Sequence, residues 1–404
     1  MTRNQPSIGL CLSGGGFRAS FYALGALRYL AEAGLLERLV AVSAVSGGSI
    51  AAAAVADRWD DYVRAGGGLE AFAERVDEPF RSVVTSRNLR RRWMARSLGA
   101  IVPFSGGRGG AYSRTLAGNL FERKRVAELP RTPEFIFTST DLSKGRAFRI
   151  ASAYVGSYDY GYIEPVPGSI KLGDAVAASA AFPPSMTVLN LRTRHLSFPK
   201  ATPPRALSLV DGGVYDNLGL EWFQGWTEDS LRPTSASKPE FVIVANASGL
   251  LDQRDQRFSP VKAFRRDLAV QYQQSLNLRV RWWVSDLSSG VRSGVYMAIK
   301  SDSRSEGLPP ALTVSALPSE LVLPLASLRT DLDCFSREEA DLLSYHAYWT
   351  LHARLSLHAP DLAQDDPTWK RFADISPAEI ERLRNILING SHRFFRRLRR
   401  KGRK

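Results

Sequence analysis

The sequence predicts an α/β protein of three layers, α/β/α, with a mostly parallel central sheet and a helical appendage at its C-terminus. Two observations carry this. A short apolar strand, a glycine turn and a helix follow one another twice within the first sixty residues, the pattern of a parallel sheet covered on both faces. The chain also has 404 residues with 44% hydrophobic and 23% charged content, close to the globular average, which excludes disordered and fibrous classes.

Taken in order, residues 8–12 (Ile-Gly-Leu-Cys-Leu) read as a buried strand ending in Ser13-Gly14-Gly15-Gly16. A helical pattern follows over 18–33, with Phe21, Leu24, Leu27 and Leu30 on one face and Gly34 as the stop. Residues 39–44 form a second apolar strand that turns at Val45-Ser46-Gly47-Gly48 into an alanine-rich helix over 49–59. Further strands are expected at 134–140, 206–210, 240–245, 279–286 and 291–300, and further helices at 172–184, 260–274 and 336–357. Gly66–Gly68 and Ser105–Gly110 read as mobile loops. No internal repeat or linker interrupts the chain. The expected division is one large domain over 1–360 and a helical, basic appendage over 361–404.

No run approaches 18 apolar residues, so no membrane-spanning helix is expected. The polar start, Met1 to Pro6, runs straight into a strand and leaves no room for a signal peptide. Cys11 and Cys334 are too few for a disulfide framework or a zinc cluster. A cytoplasmic setting, peripheral to the inner face of a membrane, is therefore expected, with no cofactor and no metal.

The net charge is +14, and only ten of the 54 basic residues are lysine. Arg87, Arg90, Arg91, Arg92 and Arg96 cluster around Trp93 and Met94, and eight basic residues fall between Arg393 and Lys404. Arg90–Arg92 and Arg393–Lys404 suit an anionic membrane surface, with the interleaved aromatics as inserting groups; a solubilising tail is the plainer reading of the latter. Nucleic acid is not expected as a partner, because no zinc-finger spacing or aromatic RNA-binding motif accompanies the charge.

Three loops could carry chemistry. The run Gly14-Gly15-Gly16, between strand and helix, offers backbone N–H groups at a positive helix end. It is open to three readings: a turn needing positive φ, a dinucleotide phosphate site, or an oxyanion hole. The dinucleotide reading also needs an acidic residue at the end of the second strand, where Ser43 to Ser46 stand instead. At the second loop, Ser46 occupies a strand-to-helix turn between small residues, the setting of a nucleophilic serine; Gly47 and Gly48 match the pattern and Ala44 stands where its first glycine would be. At the third, Asp211 ends an apolar strand before Gly212-Gly213. None of the five histidines lies in such a turn. In a parallel sheet the C-terminal strand ends share one edge, so all three loops are expected there.

These residues together resemble the patatin-like phospholipase family, in its bacterial branch: Ser13-Gly14-Gly15-Gly16-Phe17-Arg18, Val45-Ser46-Gly47-Gly48-Ser49 and Asp211-Gly212-Gly213. Residues 140–141, 178–184, 217–219 and 328–333 support it, so that the likeness spans roughly 7–360. The resemblance implies a patatin-like fold and hydrolysis of lipid acyl esters of the phospholipase A or lysophospholipase type. It implies Ser46 as nucleophile and Asp211 as general base, with no histidine. The oxyanion hole would be drawn from Gly14, Gly15, Gly16 and Gly47, and Arg18, Gly48, Gly212 and Gly213 would support it. A catalytically silent lipid-binding protein of the same fold is the alternative.

Overall fold

The computed structural model describes residues 6–98, 107–122, 124–182, 186–224, 233–249 and 259–391. Among the described residues ten strands form one sheet: β1 (Ile8–Leu12), β2 (Leu39–Val45), β3 (Glu134–Asp141), β4 (Arg146–Ala151), β5 (Val155–Ser157), β6 (Gly161–Ile163), β7 (Leu189–Arg192), β8 (Ala206–Asp211), β9 (Phe241–Asn246) and β10 (Ser293–Ala298). The parallel half runs β10-β9-β1-β2-β3. Beyond β3 the sheet continues antiparallel through β4, β5 and β6. The sheet is therefore mixed, its parallel half built from β1, β2 and β3 together with β9 and β10.

β1, β3 and β9 are buried along their whole length, as strands covered on both faces must be. Their side chains alternate between two cores. Leu10, Leu12, Val42, Ala44, Phe135, Phe137 and Ile243 belong to the larger one. Cys11, Ala41, Ile136, Val242 and Val244 point into the smaller.

Helices α1 (Gly16–Glu32) and α2 (Gly47–Arg64) follow β1 and β2 and cover the larger face. Helices α3 (Gly68–Phe72), α4 (Glu78–Ser86), α5 (Leu89–Leu98) and α6 (Gly107–Leu120) connect towards β3, and α7 (Leu172–Ser179) precedes β7. Short helices α8 (Gly213–Asp216) and α9 (Glu221–Gln224) follow β8, and the long α10 (Pro260–Ser288) lies across the second face, burying Leu276 and Trp283. Helices α11 (Pro310–Thr313) and α12 (Ser319–Ala326) lead to α13 (Arg337–His358), which packs along α1 and is opened by a capping box between Ser336 and Glu339. The last described helix, α14 (Pro377–Ser391), buries Leu383 and Leu387 in the larger core.

Several local expectations are corrected. Residues 279–286 are not a strand: α10 runs unbroken through them, because Leu276 and Trp283, two turns apart on one side, both dock on the smaller core. The stretch 105–110 is not all loop, since α6 starts at Gly107; 105 and 106 lie outside the described residues. Helix α7 ends at Ser179 rather than at the prolines, and residues 183–185 are outside the described set. Trp93 is no inserting group. It is buried edge-on against Tyr112 and donates its indole N–H to Arg108 O, while Arg92 and Arg96 reach Asn119 and Thr115. The basic stretch Arg393–Lys404 lies outside the described residues. Among the described residues no helix is long and apolar enough to cross a membrane.

Candidate active site

The orientation of β8 positions the site, and it is the opposite of the one expected. β8 is antiparallel to β3 and prolongs the edge along which β2 pairs: Val45 faces Thr138 and Asp211 faces the next residue, Ser139. The two strands thus meet end to end along β3, so that the turn after Val45 and the carboxylate at the end of β8 adjoin. Convergence arises from opposed strands, not from a shared parallel edge.

Ser46 follows β2 directly and caps α2. Its φ is 51° and its ψ −116°, and it is the sole non-glycine residue with positive φ among those described. Such a conformation costs about 1–3 kcal/mol and persists only where the surroundings impose it. The surroundings here are specific. The Ser46 amide donates to Ser179 Oγ at 3.0 Å, Ser179 Oγ pairs with Ser49 Oγ at 2.7 Å, and the Ser179 hydroxyl donates to Thr138 O at 2.6 Å. The flanking glycines are steric necessities. A Cβ on Gly47 would meet Gly16 O at 2.0 Å, and one on Gly48 would meet Leu12 O at 2.4 Å.

Asp211 is buried. Its Oδ1 accepts the Gly213 amide at 2.7 Å, and its main chain is held by Thr140 Oγ1 and Ala181 O. Oδ2 accepts no hydrogen bond of standard geometry. Burial raises the carboxyl pKa from 3.8 to about 7, and the Ser46 hydroxyl and the Gly213 amide offset only part of that rise by favouring the ionised form. Gly212 is required because a Cβ there would strike Thr138 O at 2.2 Å.

The glycine loop lies against both. The Gly14 amide donates to Asn217 O and is therefore not free to hold an oxyanion, while a Cβ on Gly14 would lie 3.1 Å from Ser46 Cβ. Gly15 and Gly16 have φ of 140° and 56°. Among the described residues their amides, and that of Gly47, donate to no acceptor, as befits residues opening a helix. Arg18 is buried. Its guanidinium donates to Ala326 O at 3.0 Å, Leu328 O at 2.7 Å and Ala247 O at 3.0 Å, tying α1 to two other segments. Burial lowers its pKa to about 10.

Sequence reading gave no role to three contributors. Ser179 fixes the Ser46 turn, Ser13 Oγ accepts the Ala247 amide at 2.7 Å, and Asn217 links the Gly14 strand end to Ser248. All three stand in segments that carry the family likeness, which is the signal that could have singled them out. Among the described residues no cluster of three or more His, Cys, Asp or Glu could hold a metal.

A family model for patatin-like phospholipases matches residues 10–223, more than half of the chain. The chain belongs to the patatin-like phospholipase family. This patatin-like protein resembles human GIVD cytosolic phospholipase A2 in fold, at 13% identity and a TM-score of 0.50, over 96% of its own length and 62% of that chain. It thus spans less than two thirds of that relative. VipD from Legionella pneumophila aligns at 12% identity with a TM-score of 0.28, over 96% of this chain and 85% of the other. No curated protein sequence matches the chain. The mixed sheet flanked by helices is the patatin-like fold.

Proposed function

We propose that this patatin-like protein hydrolyses lipid acyl esters with Ser46 as nucleophile and Asp211 as general base. The observation that carries the proposal is a strained serine at a strand-to-helix turn beside a buried carboxyl whose pKa is about 7. A carboxylate of ordinary acidity is too weak a base to take a hydroxyl proton readily, and one raised to near neutrality is matched to that task. In the acylation step Ser46 Oγ attacks the ester carbonyl carbon while its proton passes to Asp211. The carbonyl oxygen becomes an oxyanion that the amides of Gly15, Gly16 and Gly47 would hold. Collapse expels the alcohol, which takes the proton from Asp211 and leaves an acyl-enzyme. Water then attacks the acyl carbon, gives its proton to Asp211, and the fatty acid leaves as the proton returns to Ser46. Loss of one oxyanion donor in such a site costs about 10²–10³ in turnover.

The test is labelling and turnover. A fluorophosphonate is expected to modify Ser46 alone, and Ser46→Ala to abolish both labelling and hydrolysis of a short-chain ester. Labelling at another residue, or full turnover by Ser46→Ala, refutes the nucleophile. No turnover of any ester by the folded wild-type protein supports the silent alternative.

A further inference from the structure

Helix α10 is apolar on two sides. Leu276 and Trp283 dock on the smaller core. Rotated by roughly 120° at 3.6 residues per turn, Phe264, Leu268, Leu278 and Trp282 make a second stripe, with 64%, 51%, 47% and 50% of their surfaces exposed. The four lie within about 40° of one line, over a length of about 27 Å. An exposed linear stripe of large apolar side chains is not what a surface helix of a soluble protein needs, and it marks a contact.

The position of the stripe identifies its occupant. Tyr272, on the same helix between its two halves, reaches into the candidate active site: a Cβ on Gly213 would lie 3.0 Å from its hydroxyl, and its ring stands edge-on to Phe182 at 6.1 Å. Phe182 is itself exposed. The stripe therefore borders the approach to Ser46 and Asp211. Arg281 stands to one side of the line and exposed Asp267 nearer to it, while Lys262 lies on the far side of the helix; the positive charge available to this face is that of the chain as a whole, +14 net. A long helix with large apolar and aromatic groups along one line, on a chain of strong net positive charge, fits the interface of an anionic bilayer, lying in the membrane plane.

We infer that α10 is the surface by which this protein docks on anionic lipid bilayers, bringing the mouth at Tyr272 and Phe182 onto the membrane from which substrate is drawn. The inference deepens the lipid-hydrolase reading and rests on it for its purpose, but its test does not need turnover.

The full chain carrying Ser46→Ala is titrated with vesicles of phosphatidylcholine alone and of phosphatidylcholine with phosphatidylserine, and bound protein is measured by co-sedimentation. The expected result is binding to the anionic vesicles. Adding Phe264→Ser and Trp282→Ser is expected to weaken it at least about tenfold, since two exposed anchors are lost, with an unchanged melting temperature. In a chain that retains Ser46, the same pair of substitutions is expected to leave turnover of a soluble short-chain ester in place while lowering hydrolysis of vesicle lipid. Absence of anionic-vesicle binding by the parent, or equal binding by parent and stripe variant, overturns the inference. So does a dimer in light scattering that the stripe variant dissociates without weakening vesicle binding, since the occupant is then a second copy. Failure of the esterase reading shows separately, as absent ester turnover in the wild-type chain.

Discussion

Replacing Asp211 by asparagine exposes two consequences of one buried carboxyl. In the folded chain its pKa is about 7, against an ordinary value of 3.8. A carboxyl whose pKa is raised by folding favours the fold while protonated. That contribution is complete below pH 3.8, fades as the pH rises, and is gone above about 7. Each pKa unit is worth about 1.4 kcal/mol, so at pH 8 the ionised group burdens the fold by roughly 4 kcal/mol relative to acid, and at pH 5 by roughly 1.6 kcal/mol. Asparagine carries no charge and keeps an acceptor for the Gly213 amide. Asp211→Asn is therefore expected to gain on wild type as the pH rises, by roughly 3 kcal/mol more at pH 8 than at pH 5. For a chain of this length that corresponds to about 3 °C in melting temperature. Thermal unfolding of both proteins between pH 4 and 9 measures it, alongside ester turnover. Wild-type turnover should fall as the pH drops through 7, and the variant should be inactive throughout. A stability gap that stays flat or narrows with rising pH refutes the burial argument, and an active variant refutes the base.

Two further substitutions probe the scaffold of the site. Ser179→Ala removes the acceptor for the Ser46 amide and the donor to Thr138 O; it is expected to cost about 2–3 kcal/mol in denaturant unfolding and to lower kcat more than KM, and an unchanged kcat would remove Ser179 from the account of the turn. Gly16→Ala would drive a Cβ to 1.7 Å from Thr330 O at a φ of 56°; a loss of at least about 3 kcal/mol is expected in the same assay, and a smaller one would mean that residues 328–333 yield more readily than their packing suggests.

The parts of the fold legible in the sequence are those whose causes are local. Continuous apolar runs ending in glycine gave β1, β2 and β9 to within a residue or so, because a central strand needs little else. Residues 279–286 failed for a physical reason: Arg-Val-Arg-Trp-Trp-Val alternates and favours strand, and only docking on the smaller core makes it helical. The arginines of α5 hid a helix that buries Leu89 and Trp93. The direction of β8 could not be read at all, since nothing within a strand records which neighbour it meets. The site divides likewise. Ser46, Asp211 and the glycines announce themselves by their turns, whereas Ser179, Ser13 and Asn217 act through partners more than thirty residues away.

The end-to-end meeting of β2 and β8 makes β3 the gauge of the chemistry. A single peptide step, from Thr138 to Ser139, sets how far apart the two reacting loops begin. Segments that lead into β8 can lengthen or shorten without altering that interval, because the strand docks by its ladder and not by its approach. One residue added to β3 between these positions would shift it by about 3.3 Å, more than a proton can cross. Variation in this chain should therefore be freest in the excursion before β8 and most restricted at two interior residues that touch no substrate.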